Sequence, residues 1–499
     1  MSMQATKTQI ENVYQRTLYF FQEICKIPHE SGNEEAMADF LVDFAGKENL
    51  SFLRTTDVIN GKQTHNVIIS KPGSAGYESV EPLVLQAHMD MVCQKVSDST
   101  HNFATDPLPV RIEGDQMMAD GTTLGADDGI GVAYMLAFLE SKEISHPPLE
   151  ALFTSDEEEG MSGAMAITEE MLKGRRLINI DSGEEGIFTY GCAGGLNADV
   201  MLPVSDESTP VGYGFVEVEV SGLQGGHSGG EIHKGHANAH KLLGRVLDAM
   251  ERKSDIRLVS LWGGDKRNVI TREAGAVVCV PVTEISNLKE IVAAQQAIFQ
   301  HEYESLEPTI CLSSKEAPPV DKALSKDTTT KLITLLLAIP NDVHSMHNNV
   351  AGLVGTSCNL GLITQAEDHI FLSSHIRSFH DSKKWYVYDQ IKRLAEAVGA
   401  SCSHGSDYPH WEPNLNSDLM KRFRVAFEQT FPDKTPRFES IHAGLECGFI
   451  SKRFPTMDMI SCGPDITGAH TPEETLYLDS TKRTAELLLN VMGQMKDEG

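Results

Sequence analysis

Apolar residues recur at two different spacings along this chain. Residues 9–49 have helical periodicity and predict two amphipathic helices, separated by KIPHESGNEE, where Pro28 and Gly32 break the pattern and Ser31 could cap the second helix. Short apolar runs then alternate with helical stretches. HNVIIS, EPLVLQAHMD, PPLEALFTS and RRLINID predict strands, and ADDGIGVAYMLAFLESKE and EEEGMSGAMAITEEML predict helices. This alternation indicates an α/β fold, a mixed or parallel sheet with helices on both faces.

The pattern changes near residue 198. GFVEVEVSGL alternates with period two, ANAHKLLGRVLDAM has helical periodicity, and GAVVCVPV and HIFLSSHIRS are strand-like, which together predict an α+β module. From about residue 401 the first pattern returns in SDLMKRFRVAFEQTF, PTMDMISCG and TKRTAELLLNVMGQM. A length of 499 residues also favours two domains. We therefore predict one domain formed by residues 1–198 and 401–499, with residues 199–400 inserted into it.

Composition narrows the classes of function. A formal net charge of -29 disfavours nucleic acid or an anionic membrane as a partner. No apolar run approaches the roughly 18 residues that cross a bilayer, and the polar start MSMQATKTQIENVYQ is unlike a signal peptide. The nine cysteines are scattered, without a C-x-x-C pair, which is typical of a reducing compartment. We predict a cytoplasmic protein that binds neither nucleic acid nor membrane.

Histidines and carboxylates stand at strand ends and in glycine-rich loops, where α/β folds place their reactive groups. They occur in QAHMD, GADDG, TSDEEEG, NIDSG and GAHTPEE, as His88, Asp90, Asp127, Asp128, Glu157, Glu158, Asp181 and His470. Imidazole and carboxylate without thiolate are the ligands of a hydrolytic metal pair, with zinc first and manganese or cobalt as alternatives. The sequence therefore predicts a carboxylate-rich metal site.

Each of these residues also has a purely structural explanation. An aspartate before a helix can cap its N-terminus, consecutive acids are common in solvated turns, and a strand-end histidine can simply hydrogen-bond a carboxylate. Within a metal site, adjacent residues point in different directions, so Glu157 and Glu158 can differ in function. One can hold metal while the other takes a proton from the attacking water. Asp90 fits the carboxylate that orients a histidine ligand.

Six stretches of the chain together resemble a known family. QAHMDMV, GTTLGADDGIG, GCAGG, GLQGGHSGGEIH, HAGLECG and GPDITGAHTPEE are similar to those of the zinc-dependent aminoacyl-histidine dipeptidases, or peptidase D. These belong to a wider group of dinuclear zinc aminoacylases, carboxypeptidases and dipeptidases. The resemblance covers nearly the whole chain. It implies a zinc-peptidase-like catalytic domain and an inserted lid, which is a dimerisation surface in many members, so a homodimer is expected.

The resemblance implies two zinc ions and a function for each candidate ligand. The ligands would be His88 and Asp181 for one metal, Glu158 and His470 for the other, and Asp127 as the bridge between them. Asp90 would orient the first histidine, and Glu157 would act as the general base. The implied reaction is hydrolysis of the amide bond of a dipeptide.

The same resemblance implies four further residues, three of them within the predicted insertion at 199–400 and one, Gly444, after it. His227 would stabilise the oxyanion, and Arg377 would clamp the substrate's free carboxylate, a task suited to a forked guanidinium. Asn268 and Gly444 would be additional substrate contacts. Arg377 could instead belong to an ordinary surface ion pair at the end of a strand.

The chain departs from the family pattern in two places. Close members often have Ala-Asp-Asn where this chain has Ala126-Asp127-Asp128, but the wider group uses Asp-Asp, so metal binding is little affected. HGSDYPHWEP carries extra polar residues near the expected substrate mouth, which leaves the side-chain preference open.

Other functions fit parts of the pattern. The same site could serve an aminoacylase, a carboxypeptidase or a deacylase. A non-catalytic metal-binding protein is less favoured, because every position expected of a working site is occupied. Nucleotide binding is disfavoured, because GTTLGADDG lacks the G-x-x-x-x-G-K-[ST] pattern and its acids would repel phosphate. We predict a metal-dependent dipeptidase of broad specificity, whose substrates could include carnosine.

Overall fold

The computed structural model describes residues 4–496, which form two compact units. Unit 1 comprises residues 4–192, 411–440 and 445–496, and unit 2 comprises Ala193–His410 and Ile441–Gly444. The structure therefore divides the chain at 192/193 and 410/411, where the sequence analysis placed the divisions at 198/199 and 400/401. The functions expected of the two parts, catalytic domain and lid or dimerisation domain, stay predictions.

The described residues form eleven α-helices and 27 strands. The helices are α1 (Lys7–Ile24), α2 (Glu35–Glu48), α3 (Ala126–Glu140), α4 (Ser162–Met165), α5 (Ala239–Glu251), α6 (Ile285–Glu302), α7 (Lys326–Ala338), α8 (Asp381–Ala397), α9 (Asp418–Thr430), α10 (Cys447–Arg453) and α11 (Leu478–Gly493). The strands are β1 (Ser51–Arg54), β2 (Val58–Ile59), β3 (Lys62–Gln63), β4 (Val67–Lys71), β5 (Leu83–His88), β6 (Val110–Glu113), β7 (Gln116–Ala119), β8 (Leu149–Thr154), β9 (Arg176–Asn179), β10 (Ile187–Cys192), β11 (Gly194–Pro203), β12 (Asp206–Ser208), β13 (Tyr213–Ser221), β14 (Gly226–His227), β15 (Arg257–Gly263), β16 (Val269–Ile270), β17 (Ala274–Pro281), β18 (Cys311–Glu316), β19 (Lys322–Leu324), β20 (Asp342–Met346), β21 (Val354–Gln365), β22 (His369–Ser378), β23 (Ser401–Tyr408), β24 (Arg437–Ile441), β25 (Asp458–Ser461), β26 (Ile466–Thr467) and β27 (Thr475–Tyr477).

Unit 1 is built on a mixed eight-stranded sheet in the order β1-β4-β8-β5-β9-β25-β10-β24. Strand β5 pairs in parallel with β8 and β9, so the three strands end at the same edge of the sheet. Every residue of β5 and β8 is buried, which requires that both faces of the sheet be covered. Helix α3 packs on β5 and is itself covered by α1. The predicted α/β class is confirmed.

Unit 2 is an α+β module on an antiparallel sheet, in the order β18-β13-β17-β15-β21-β22-β11-β23, with β20 paired to β21. The period-two pattern predicted for β13 is confirmed, since Val216, Val218 and Val220 are buried while the glutamates between them are partly exposed. Helices α5 to α8 supply their apolar faces to one core with this sheet. Of the candidate substrate-binding residues, Arg377 lies on one of the long antiparallel strands, β22.

Two local predictions are wrong. Ser31 does not cap α2, whose N-cap is Glu34 without a side-chain hydrogen bond; its hydroxyl instead donates to Asp90 Oδ2 over 2.7 Å. EEEGMSGAMAITEEML is not one helix, because only Ser162–Met165 is helical. Residues before it turn sharply, with Met161 at a positive φ of 54°. Local periodicity is overridden there by the turn that presents the acidic residues.

None of the helices within residues 4–496 is both long enough and apolar enough to cross a membrane.

Candidate metal centre and substrate-binding residues

The candidate metal ligands lie together in unit 1. They are His88 at the end of β5, Asp127 in the first turn of α3, Glu158 after β8, Asp181 after β9, and His470 between β26 and β27. Their ligand atoms form three groups within 4.8 Å: His88, Asp127 and Asp181; Asp127, Glu158 and His470; and His88, Glu157 and Glu158. The structure thus brings these residues together, and their function as ligands stays a prediction.

Asp127 stands at the centre of the cluster. Its Oδ1 lies 3.2 Å from His88 Nε2, and its Oδ2 lies 3.2 Å from His470 Nε2. Asp181 Oδ1 is 3.7 Å from the first imidazole, and Glu158 Oε1 is 2.9 Å from the second. Each imidazole therefore faces one oxygen of the shared aspartate and one carboxylate of its own. Such a geometry would suit two neighbouring cations with the Asp127 carboxylate between them.

The carboxylates of the cluster create a negative electrostatic environment that stabilises positive charge. Burial by itself would lower the pKa of His88, but the facing carboxylates of Asp127 and Asp90 raise that pKa well above its usual value. Hydrogen bonds to Asp127 and Glu158 raise the pKa of His470 to about 10. In the absence of metal, the carboxylates thus stabilise the protonated, positively charged form of each imidazole. Divalent cations bound to neutral imidazole and to carboxylate would meet the same demand.

The carboxylates around the cluster are crowded as well as buried. Burial raises the pKa of Glu157 well above its usual value, and the negative charges of Asp181 and Glu446 raise it further. Burial raises the pKa of Asp181 in the same way. Carboxylates so close together are stabilised in their charged form by cations. The donor set, imidazole and carboxylate without thiolate, fits hard or borderline divalent ions.

Asp90 does more than the sequence analysis assigned to it. His88 Nδ1 hydrogen-bonds the backbone carbonyl of Asp90 over 3.0 Å, and Asp90 Oδ1 lies 3.4 Å from the same nitrogen, which fits the predicted orienting function. The Asp90 carboxylate also accepts the backbone N–H groups of Glu157 and Glu158, over 3.1 and 3.3 Å, and the hydroxyl of Ser31. One buried residue therefore fixes both the histidine, through its carbonyl and carboxylate, and the turn that presents the acidic pair. No sequence pattern signals this second function.

The loop that carries Asp127 is tied directly to β5. Asp127 and Asp128 have non-helical dihedral angles, and the peptide bond between them is cis. The side chain of Asp128 accepts the N–H groups of His88 and Gly131, each over 3.2 Å. The second aspartate thus orients the loop.

Glu446 is a buried carboxylate beside the cluster that the sequence analysis did not single out. Its Oε2 accepts hydrogen bonds from Gln86 Nε2 and Thr154 Oγ1, both over 2.7 Å. Burial raises the pKa of Glu446 to about 7. The residue belongs to HAGLECG, so the motif marked the segment although only Gly444 was chosen from it.

In unit 2, His227 has a defined tautomer. Its Nδ1 accepts the backbone N–H groups of Gly229 and Gly230, over 3.3 and 3.1 Å, so the proton of the neutral ring lies on Nε2. Burial, and then the charge of Arg377, lower the pKa of His227, which keeps the ring neutral. The Nε2 atom lies 3.4 Å from Arg377 Nη2, another donor. Two donors cannot satisfy each other, so this pair suits a shared anionic acceptor.

Arg377 is buried, with 5% of its surface exposed, and is not part of a surface ion pair. Its Nη1 donates to the Tyr408 hydroxyl over 3.0 Å. That hydroxyl donates to His375 Nε2 over 3.1 Å, and His375 Nδ1 donates to Asn197 Oδ1 over 2.6 Å. This chain of hydrogen bonds orients the guanidinium through Nη1, while its Nε is buried without a hydrogen-bond partner among residues 4–496. Sequence analysis missed both Tyr408 and His375: His375 lies two positions before Arg377 on β22, and the pairing of β11 with β22 and β23 brings Tyr408 to them.

The other two predicted substrate contacts have different surroundings. Asn268 is exposed and lines a cavity of about 360 Å³ together with Asn197 and His375. Gly444 packs against Tyr408, since a Cβ atom at Gly444 would lie 2.6 Å from the tyrosine ring. A close approach therefore explains this glycine structurally. Substrate binding by either residue stays a prediction.

Known proteins are similar to this chain over nearly its whole length. The model of peptidase family M20/M25/M40 matches residues 84–494. The cytosol non-specific dipeptidase of Escherichia coli (strain K12) is 40% identical over 475 residues, which cover 95% of this chain and 96% of that protein. The crystal structure of aminoacylhistidine dipeptidase from Vibrio alginolyticus is 38% identical, with a TM-score of 0.87 and 96% of each chain covered.

A more distant structure shows the same fold. Aminopeptidase PepT from Bacillus cereus ATCC 10987 is 15% identical, with a TM-score of 0.56, over 97% of this chain and 99% of that one. At that identity the likeness extends to the fold alone.

Proposed function

Because the chain belongs to peptidase family M20/M25/M40, we propose that it is a metal-dependent dipeptidase that hydrolyses the amide bond of dipeptides. The family match and the two relatives of 40% and 38% identity confirm the predicted recognition and make the chain a peptide hydrolase. The observation that carries the proposal is the central carboxylate of Asp127, which faces His88 with one oxygen and His470 with the other.

We propose two divalent cations per chain, zinc by the resemblance, held by the five clustered ligands. His88 and Asp181 would hold one cation, Glu158 and His470 the other, and Asp127 both. When bound, such cations polarise the substrate's carbonyl and make water acidic enough to attack at neutral pH. Imidazole binds metal only in its neutral form, so protons and cations compete for both histidines.

We propose that Glu157 moves the proton during hydrolysis. Its backbone is fixed by Asp90, and its side chain lies in a group with His88 and Glu158. As water forms a bond to the carbonyl carbon, the carboxylate takes its proton and delivers it to the nitrogen when the C–N bond breaks. An oxyanion forms between these two steps. We propose that His227 stabilises it by a hydrogen bond from its Nε2–H group.

The free carboxylate of the substrate is assigned to Arg377. The guanidinium is buried without a carboxylate partner among the described residues, and it is oriented by Tyr408. A fixed fork of donors suits a planar carboxylate. A free carboxyl terminus distinguishes a bond next to the end of a peptide from an internal bond, and this favours an exopeptidase. We propose broad specificity that includes aminoacyl-histidine dipeptides such as carnosine.

Metal analysis and dipeptide hydrolysis on the same preparation test this proposal. We expect about two divalent ions per chain, loss of hydrolysis on chelation, and recovery on adding back zinc, manganese or cobalt. The substrate panel contains dipeptides, tripeptides and N-acyl amino acids. Preferred cleavage of N-acyl amino acids would instead indicate an aminoacylase or deacylase, and preferred cleavage of longer peptides a carboxypeptidase. Bound metal without chelator-sensitive hydrolysis would contradict the proposal.

Arg377→Lys is expected to raise KM for dipeptides by about 10- to 100-fold, with a smaller effect on kcat. Lysine keeps the charge but loses the fork, and a hydrogen bond to a charged group contributes about 1.5–3 kcal/mol. Steady-state kinetics with a dipeptide and with its C-terminal amide measure the effect. The wild type should prefer the free acid strongly, and the variant should lose most of that preference.

The matched control is Arg393→Lys, because the Arg393 side chain is 85% exposed. It should leave both KM values unchanged. If the Arg377→Lys enzyme prefers the free dipeptide over its C-terminal amide as strongly as the wild type does, Arg377 does not bind the substrate's carboxylate.

We also propose that the protein is cytosolic, as the name of the Escherichia coli relative states for that protein. A homodimer stays a prediction, which sedimentation of the purified protein would test.

A further inference from the structure

Glu474, the last residue of GAHTPEE, is a buried carboxylate to which the sequence analysis assigned no function and which the proposed reaction does not use. It lies four residues after His470 and has 2% of its surface exposed. Its Oε2 accepts the N–H groups of Leu124 and Gly125 over 2.7 and 2.9 Å. Its Oε1 accepts those of Ala126 and Asp127 over 2.8 and 3.2 Å. One side chain therefore binds four consecutive backbone amides of the loop that carries the central aspartate.

These four amides belong to Leu124 and Gly125, just before α3, and to its first two residues, Ala126 and Asp127. The N-cap position is Gly125, at a left-handed φ of 69°, which has no side chain to accept them, and within the helix the Asp128 side chain accepts only the later N–H of Gly131. The first N–H groups of a helix lack partners within the helix and favour a negative group. Each carboxylate oxygen accepts two N–H groups and so uses both of its lone pairs. No lone pair is left to carry a proton, so this hydrogen-bond pattern fits the ionised carboxylate.

The residue also connects two ligands that are far apart in sequence. The backbone N–H of Asp127 donates to the Glu474 carboxylate, and Glu474 lies in the same loop as His470, before β27. The two side chains face each other, with Asp127 Oδ2 3.2 Å from His470 Nε2. The carboxylate thus sets the position of one ligand's backbone relative to the segment that carries the other.

We propose that Glu474 is a positioning residue of the metal centre, which holds the backbone of Asp127 in register with His470 so that the shared carboxylate reaches both cations. The proposal rests on the proposed dinuclear function. Partners behind metal ligands typically change metal affinity or activity by about 10- to 100-fold when they are removed. A helix cap with no other function would instead stabilise the fold and leave the metal affinity of the folded protein unchanged.

Glu474→Gln is the first test, and Glu473→Gln is its matched control, since Glu473 is the exposed neighbour with the same charge. The amide NH₂ of glutamine would face two N–H donors, so two of the four contacts are lost. Metal per chain, the zinc dissociation constant from chelator competition, and the visible spectrum of the cobalt-loaded protein are measured for both. Thermal unfolding of the metal-free proteins reports the effect on the fold alone.

We expect Glu474→Gln to weaken metal binding by about 10- to 100-fold and to alter the cobalt spectrum, with the control unchanged. Equal metal affinities for the two variants, with a lower Tm only for metal-free Glu474→Gln, would overturn the inference. If the glutamine variant does not fold, Glu474→Asp decides, because it keeps the charge, adds no bulk and withdraws the carboxylate by one methylene. It should lose affinity as well, and wild-type affinity would overturn the inference. A wild type without bound metal would overturn the proposed function itself.

Discussion

Glu157→Gln is expected to lower kcat by about 10³-fold while both metal ions stay bound, because general acid–base catalysis typically contributes about 10²- to 10⁴-fold. Glutamine has the shape of glutamate, and the backbone bond from Glu157 to Asp90 does not involve the side chain, so the turn should keep its position. The amide cannot take a proton from water or return it to the leaving amine. Steady-state kinetics and metal content on the same sample measure both effects.

The neighbouring Glu159→Gln is the control for Glu157→Gln. Glu159 lies in the same acidic run, but its side chain is 61% exposed and it pairs with Lys62 at the surface. The control should keep its metals and its activity. A Glu157→Gln protein with near-normal turnover would assign the base to another group, and one that loses its metals would make Glu157 a ligand instead.

Asp127→Asn is expected to reduce bound metal to one ion per chain or fewer and hydrolysis by about 10³-fold or more. The side chain is central because each of its oxygens faces a different imidazole. An amide of the same shape offers one acceptor oxygen, and its NH₂ group cannot bind a cation. The loss of a bridging ligand removes catalysis that depends on both ions. Elemental analysis and dipeptide hydrolysis measure the two losses.

Asp120→Asn is the control, since Asp120 is an exposed aspartate of the same stretch. It should match the wild type in metal content and rate. If Asp127→Asn still binds two ions per chain at full occupancy, Asp127 is not the ligand that bridges them. Asp127→Asn should lose more metal and more activity than Glu474→Gln, because the first change removes a ligand and the second removes only a residue that positions that ligand.

The sequence by itself determined the fold class and the candidate ligands. Strand ends were readable because β5 and β8 are short, mostly apolar runs, and charged residues follow each within two positions. Parallel strands end at one edge of a sheet, so residues after β5, β8 and β9 had to meet. His88 and Asp181 were therefore predictable as neighbours. His470 depended on the family resemblance, because a loop histidine has no periodic pattern around it.

Only the tertiary structure decided which groups support those ligands. Ser31 has the local features of a helix cap, yet its hydroxyl binds Asp90, 59 residues away. Glu474 looks like an ordinary loop acid next to Glu473, yet it accepts amides nearly 350 residues away. Tyr408 reaches Arg377 through the pairing of β11 with both β22 and β23. Sequence patterns report neighbours along a helix or strand, whereas a buried polar side chain takes its partner from whatever the fold places within hydrogen-bonding distance.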